Sequence, residues 1–78
     1  MKKSKKEQMN DILTKLEDVQ NSQEALIVKI ATIQIELLEV PNEELEKMIV
    51  EAHSNATINT ELIKRAMENY KMAINSLE

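Results

Sequence analysis

Two uninterrupted heptad stripes, one on each side of the chain's single proline, constrain this sequence more than any other feature. In the first half, Met9, Ile12, Leu16, Val19, Gln23, Leu26, Ile30, Ile33, Leu37 and Val40 recur at alternating spacings of three and four, and only Gln23 is polar. In the second half, Leu45, Ile49, Ala52, Ala56, Asn59, Ile63, Ala66, Tyr70, Ala73 and Leu77 do the same, and only Asn59 breaks the pattern. This period puts one residue in every three or four on a single line along a helix, the signature of a coiled-coil seam.

Between the stripes runs Val40-Pro41-Asn42-Glu43-Glu44. Proline lacks an N–H and drives the preceding residue out of the helical region. Asn42 can accept a hydrogen bond from the first free amides of a following helix. Glu43 and Glu44 then sit at that helix's positive end. So short a connection makes the two helices antiparallel. The expected fold is all-α, a coiled-coil-like helical hairpin that assembles into a helical bundle. The expected organisation is a basic, flexible amino terminus over 1–6, then one domain over 7–78, with arms at 7–40 and 42–77.

Folding the chain at Pro41 sets Leu37 beside Leu45, Ile33 beside Ile49 and Gln23 opposite Asn59. Two amides can satisfy each other's donors and acceptors, which neither could do against leucine. Gln23 and Asn59 are therefore expected to fix the register. Two segments could break the arms, near 20–23 and 54–59. Asn21 with Glu24 resembles a capping box, and Ser54-Asn55-Ala56-Thr57-Ile58-Asn59-Thr60 is rich in residues that favour caps over helix interiors. The competing architecture is a compact bundle of three or four short helices. Unbroken heptad phase across both points favours the long hairpin.

The end of the first arm is apolar on a second side. Val28, Ala31, Ile35 and Leu38 form another stripe of threes and fours, flanked by Ile27. A helix apolar on two sides is covered on two sides. These four residues are expected to form the interface with a partner, either a second copy of the chain or another protein. Seventy-eight residues support only a marginal core, and small chains gain stability from disulfides, metals or partner subunits. Cysteine is absent and His53 is the only histidine, which leaves oligomerisation and close helix packing.

No catalytic residues, metal ligands or cofactor sites are expected. A nucleophilic triad needs a histidine converging with a nucleophile and an acid, and His53 stands alone beside Ser54 and Asn55, where it is expected to face solvent. Glycine is absent, so there is no phosphate-cradling loop. Lys2, Lys3, Lys5 and Lys6 form a basic start, but residues 7–78 hold six basic and fourteen acidic side chains. An acidic body disfavours phosphate backbones, and no aromatic platform offers stacking for bases. Nucleic-acid binding through the lysines stays as a third reading. No apolar run is long enough to span a membrane, and Glu7, Gln8, Asn10 and Asp11 interrupt any leader core after the lysines. The expected setting is cytoplasmic. Richness in isoleucine, lysine and asparagine fits an AT-rich bacterial or phage genome.

Taken together, the residues point to a small regulatory or inhibitory protein that works by protein–protein binding through an apolar helix face, as a homodimer or higher oligomer. The alternative is a structural assembly subunit that only self-associates.

Overall fold

The computed structural model describes residues 4–77. Two α-helices account for nearly all of them: α1, Lys5–Glu36, and α2, Glu43–Asn75. They lie against each other as an antiparallel hairpin, and the described residues contain no strand. Neither helix is long and apolar enough to cross a membrane.

Local chemistry defines each end. Ser4 caps α1, its hydroxyl oxygen accepting from the Glu7 amide at 3.1 Å and the hydroxyl donating to the Glu7 carboxylate at 3.2 Å. This is a serine N-cap, with the Glu7 carboxylate bonded to the capping hydroxyl rather than to the Ser4 amide. The helix therefore starts at Lys5, inside the segment expected to be a flexible terminus. Lys2 and Lys3 lie outside the described residues. Asn42 caps α2 as expected, its side-chain oxygen accepting from the Leu45 amide at 3.0 Å, and Glu43, Glu44 and Glu46 occupy the first turn.

The α-helical part of the first arm ends at Glu36, four residues short of the expected boundary. Beyond it three-residue bonds enter: Leu38 N–H donates to Ile35 and Glu39 N–H to Glu36, each at 3.1 Å, while Val40 N–H still reaches the Glu36 carbonyl at 3.2 Å. Such three-residue bonds satisfy the last carbonyls where the helix cannot continue. Pro41 is the cause, since it holds Val40 out of the helical region.

Neither arm breaks. The two threonines among the residues that could have capped a new helix bond within the helix instead. Thr57 donates to the His53 carbonyl at 2.9 Å and Thr60 to the Ala56 carbonyl at 2.8 Å. Thr14 and Thr32 make the same bond four residues back. A hydroxyl satisfied this way stops competing for the backbone. At the other weak point, Gln20 reaches Glu24 one turn on at 3.3 Å.

The seam differs from the expected one by half its members. Residues seven apart fall on nearly one line along a helix, so each helix can be read as seven columns. In α1 the buried and half-buried columns are Met9, Leu16, Gln23, Ile30, Leu37 and Leu13, Gln20, Ile27, Gln34. In α2 they are Ile49, Ala56, Ile63, Tyr70 and Glu46, His53, Thr60, Met67, Ile74. One column in each helix was foreseen. The second, expected at Ile12, Val19, Leu26 and Ile33 and at Leu45, Ala52, Asn59, Ala66 and Ala73, is exposed except for Ala52, which is half-buried. Leu13 and Ile74 line one cleft between the helices, and Gln20 and Met67 another.

Two expectations fall with that column. Asn59 is exposed while Gln23 is half-buried, and no hydrogen bond joins their side chains among the described residues, so they do not form a register-setting pair. Thr60 takes the buried place beside Asn59. His53, expected to face solvent, is half-buried at the seam.

The hairpin is a ribbon one helix thick. Its extents are 56 × 22 × 14 Å, and a helix with side chains is about 10–12 Å across. Its radius of gyration is 17.8 Å, where a compact chain of this length would have about 11.5 Å. Only Ile30, Leu37, Ala56, Met67 and Ile74 are buried apolar residues among those described.

Candidate protein-binding surfaces

The ribbon has two broad faces, and clefts along the seam identify which columns share each. Ile33, Val40 and Leu45 line one cleft, so the column of Ile12, Val19, Leu26, Ile33 and Val40 lies on the same face as Leu45, Ala52, Asn59, Ala66 and Ala73. Asn10 and Lys71 line a cleft on the opposite face, as do Gln34 and Val50 nearer the bend.

The expected interface residues lie on that opposite side, towards the bend. Val28 and Ile35 share one column and Ala31 and Leu38 the next. Val28, Ile35 and Leu38 are exposed, Leu38 to 78%. Ala31 is half-buried at the patch's inner edge, against the seam. Across the cleft, exposed Val50 of α2 extends the patch. The structure thus brings three of the four together as open apolar surface and uses the fourth as its floor. Leaving such side chains in water forfeits ~1.5–3 kcal/mol for each that could be fully buried.

The first face is longer. Ile12, Val19, Leu26 and Ile33 are each between 38% and 47% exposed, and with Val40 they make a ridge of branched aliphatic side chains along the whole of α1. Beside it, Ala52, Ala66 and Ala73 of α2 make a trough of small residues, entered at the bend by Leu45. None of these ten positions is charged, and Asn59 alone is polar. Sequence periodicity did register these residues, but as seam. Their true position was signalled by the apolar neighbours one place on, Leu13 after Ile12 and Ile27 after Leu26. Apolar residues spread over three adjacent columns cannot all fit between two helices.

On the opposite side, away from the bend, the surface carries charge. Glu17 and Glu24 of α1 and Lys64 and Lys71 of α2 occupy the opposite side. Lys64 lies 4.0 Å from Glu61 one turn earlier, an exposed pair of the kind that contributes little to stability. Among the described residues no group of three or more His, Cys, Asp or Glu could hold a metal. The clefts along the seam are shallow and open. What this arrangement offers chemically is apolar surface on rigid helices, with polar groups at its margins.

No family model matches this chain, and neither a curated protein nor a solved structure matches it.

Proposed function

We propose that this chain is a small, non-catalytic regulatory or inhibitory protein, working in the cytoplasm as a homo-oligomer, that binds another protein through an apolar helix face. One observation carries the reading: among the described residues, exposed large hydrophobics, from Ile12 to Leu77, outnumber the buried apolar residues. Monomeric proteins leave single apolar side chains in water routinely, but contiguous patches mark interaction sites. The patch at the bend end suits a partner's groove. Val28, Ala31, Ile35 and Leu38 step along one side of α1 as anchors of a helix-in-groove contact do.

Affinity purification of the native chain and of Ile35→Asp from cells that make it tests this. The native chain is expected to bring down a defined partner in constant proportion, and the variant to lose it by tenfold or more. Equal recovery with both chains would remove the patch from the binding surface. A second reading, an assembly subunit that only self-associates, is favoured by the ridge and trough, which run the length of the hairpin. It predicts that the native chain purifies with copies of itself alone.

A further inference from the structure

The bend-end patch leaves the longer face unexplained, and four features of that face bear on what covers it. First, both helices turn their apolar arcs to the same side of the ribbon. In α1 the arc joins the seam column of Met9, Leu16, Ile30 and Leu37 to the column of Ile12, Val19, Leu26 and Ile33; in α2 it joins the seam column of Ile49, Ala56, Ile63 and Tyr70 to the column of Ala52, Ala66 and Ala73, while the other seam column of each helix is mixed, with Gln20 and Gln34 in α1 and Glu46, His53 and Thr60 in α2. Apolar arcs that extend past the seam to the same side belong to the helices of a bundle, where each helix packs against two neighbours.

Second, the area is right. The chain exposes 6238 Å², whereas a compact 9.0 kDa protein exposes about 4,900 Å². The surplus over the whole chain, roughly 1,300 Å², exceeds the ~800 Å² that each partner contributes to a stable interface of standard size.

Third, the charge is right for a copy of the same molecule. The chain carries a net charge of −4, so self-association opposes like charges unless the contact surface holds none. The ridge and trough positions hold none, and Glu36, which lines the cleft beside Ile33 and Val40, stands at their margin near the bend, while the other face presents Glu17, Glu24, Lys64 and Lys71.

Fourth, the shape is self-complementary. Large side chains line α1 and small ones line α2, so the ridge of one hairpin fits the trough of another turned about the long axis.

We propose that a second copy of this chain seats on this face, each α1 ridge in the other's α2 trough, to form a four-helix bundle with both bends at one end. The inference rests on the reading above that exposed apolar columns exist to be covered, and it names the occupant. A two-fold axis along the bundle makes the contact isologous. It also brings both Asn59 side chains into one layer, where two amides can bond each other.

Light scattering on the native chain is expected to give twice the 9.0 kDa chain mass at micromolar concentration. Leu26→Glu, on the face, is expected to halve that mass. Ile58→Glu, on the far side of α2, is expected to leave it unchanged. A monomeric native chain, or a dimeric Leu26→Glu, overturns the proposal, as does a dimer broken by Ile35→Asp instead.

Should Leu26→Glu fail to fold by circular dichroism, cysteine pairing decides. Gln20 and Met67 share a cleft, so their predecessors Val19 and Ala66 lie abreast. Mixed Val19→Cys and Ala66→Cys chains are expected to form a disulfide-linked heterodimer in preference to either homodimer, in a sequence with no native cysteine. Absence of that preference overturns the arrangement. A monomeric chain that still captures a partner through Ile35 would sink this inference and leave the proposed function standing.

Discussion

Ile30→Ala tests where the hairpin's stability resides. Ile30 is 7% exposed and sits where both seam columns of α1 approach α2. The substitution removes three carbons from a site that water hardly reaches. At ~0.8 kcal/mol per buried methylene, the transfer loss is about 2.4 kcal/mol. A cavity adds to this, and isoleucine-to-alanine changes in protein cores cost ~2–5 kcal/mol. The ribbon is only 14 Å thick, so neighbours and water can relax into the gap, which places the expected loss near the lower end, about 2–3 kcal/mol. A chain of this size has a total stability of roughly 4–12 kcal/mol, so the variant should be badly weakened.

Urea unfolding followed by circular dichroism reads this directly. With a denaturant slope of about 1 kcal/mol/M, the midpoint should fall by ~2–3 M, or the variant should be largely unfolded without urea. Ile58→Ala is the matched comparison. Ile58 is 58% exposed on the outer side of α2, and alanine is the better helix former. Its midpoint should move by less than ~0.5 M. If the two variants shift alike, or Ile30→Ala leaves the midpoint unmoved, the seam is not where burial holds the hairpin together.

Two further changes probe the polar groups. Asn42→Ala removes the acceptor for the Leu45 amide and is expected to cost about 1 kcal/mol by the same urea assay, whereas Asn42→Asp, which caps as well, should be near neutral. Gln23→Leu replaces a half-buried amide without a side-chain hydrogen bond among the described residues by an apolar group of similar size. It is expected to stabilise the hairpin by about 1 kcal/mol; a loss of stability would mean that the amide holds a partner across the seam.

The bend and its cap were legible because they depend on neighbours in sequence. Pro41 stops one helix, Asn42 starts the next, and the acids of the first turn follow, all within a few residues. The heptad period was legible for the same reason. Its phase was not. When Ile12 and Leu13, or Leu26 and Ile27, are both apolar, periodicity cannot say which of them meets the partner helix. Side-chain size settles the matter in α2, where Met67 and Ile74 bury far more surface than Ala66 and Ala73 would. The Gln23–Asn59 pairing failed with the phase. The helices run unbroken through 20–23 and 54–59, as the heptad phase favours, for another reason. Serine, threonine and asparagine favour caps when their side chains compete for the backbone, but all four threonines bond the carbonyl one turn back and leave the helix intact. The exposed patch of Val28, Ile35 and Leu38 was legible because no second helix could cover both sides of α1.

Size does not account for the roll of α1. Its second seam column is Leu13, Gln20, Ile27 and Gln34, and the column left exposed is Ile12, Val19, Leu26 and Ile33. A hairpin answerable only to itself would bury the second set, exchanging two glutamines for a valine and an isoleucine. Each exchange would gain on the order of 1 kcal/mol, since these positions are half-buried and a fully buried aliphatic side chain is worth ~1.5–3 kcal/mol. The glutamines are tolerable at the seam because a ribbon this thin lets their amides reach water or a neighbouring side chain, as Gln20 reaches Glu24. The aliphatic column has no such accommodation on an open face. The roll that costs the lone hairpin apolar burial is the one that leaves an uncharged aliphatic ridge and its alanine trough open on one face, and the proposed four-helix bundle would cover both columns at once.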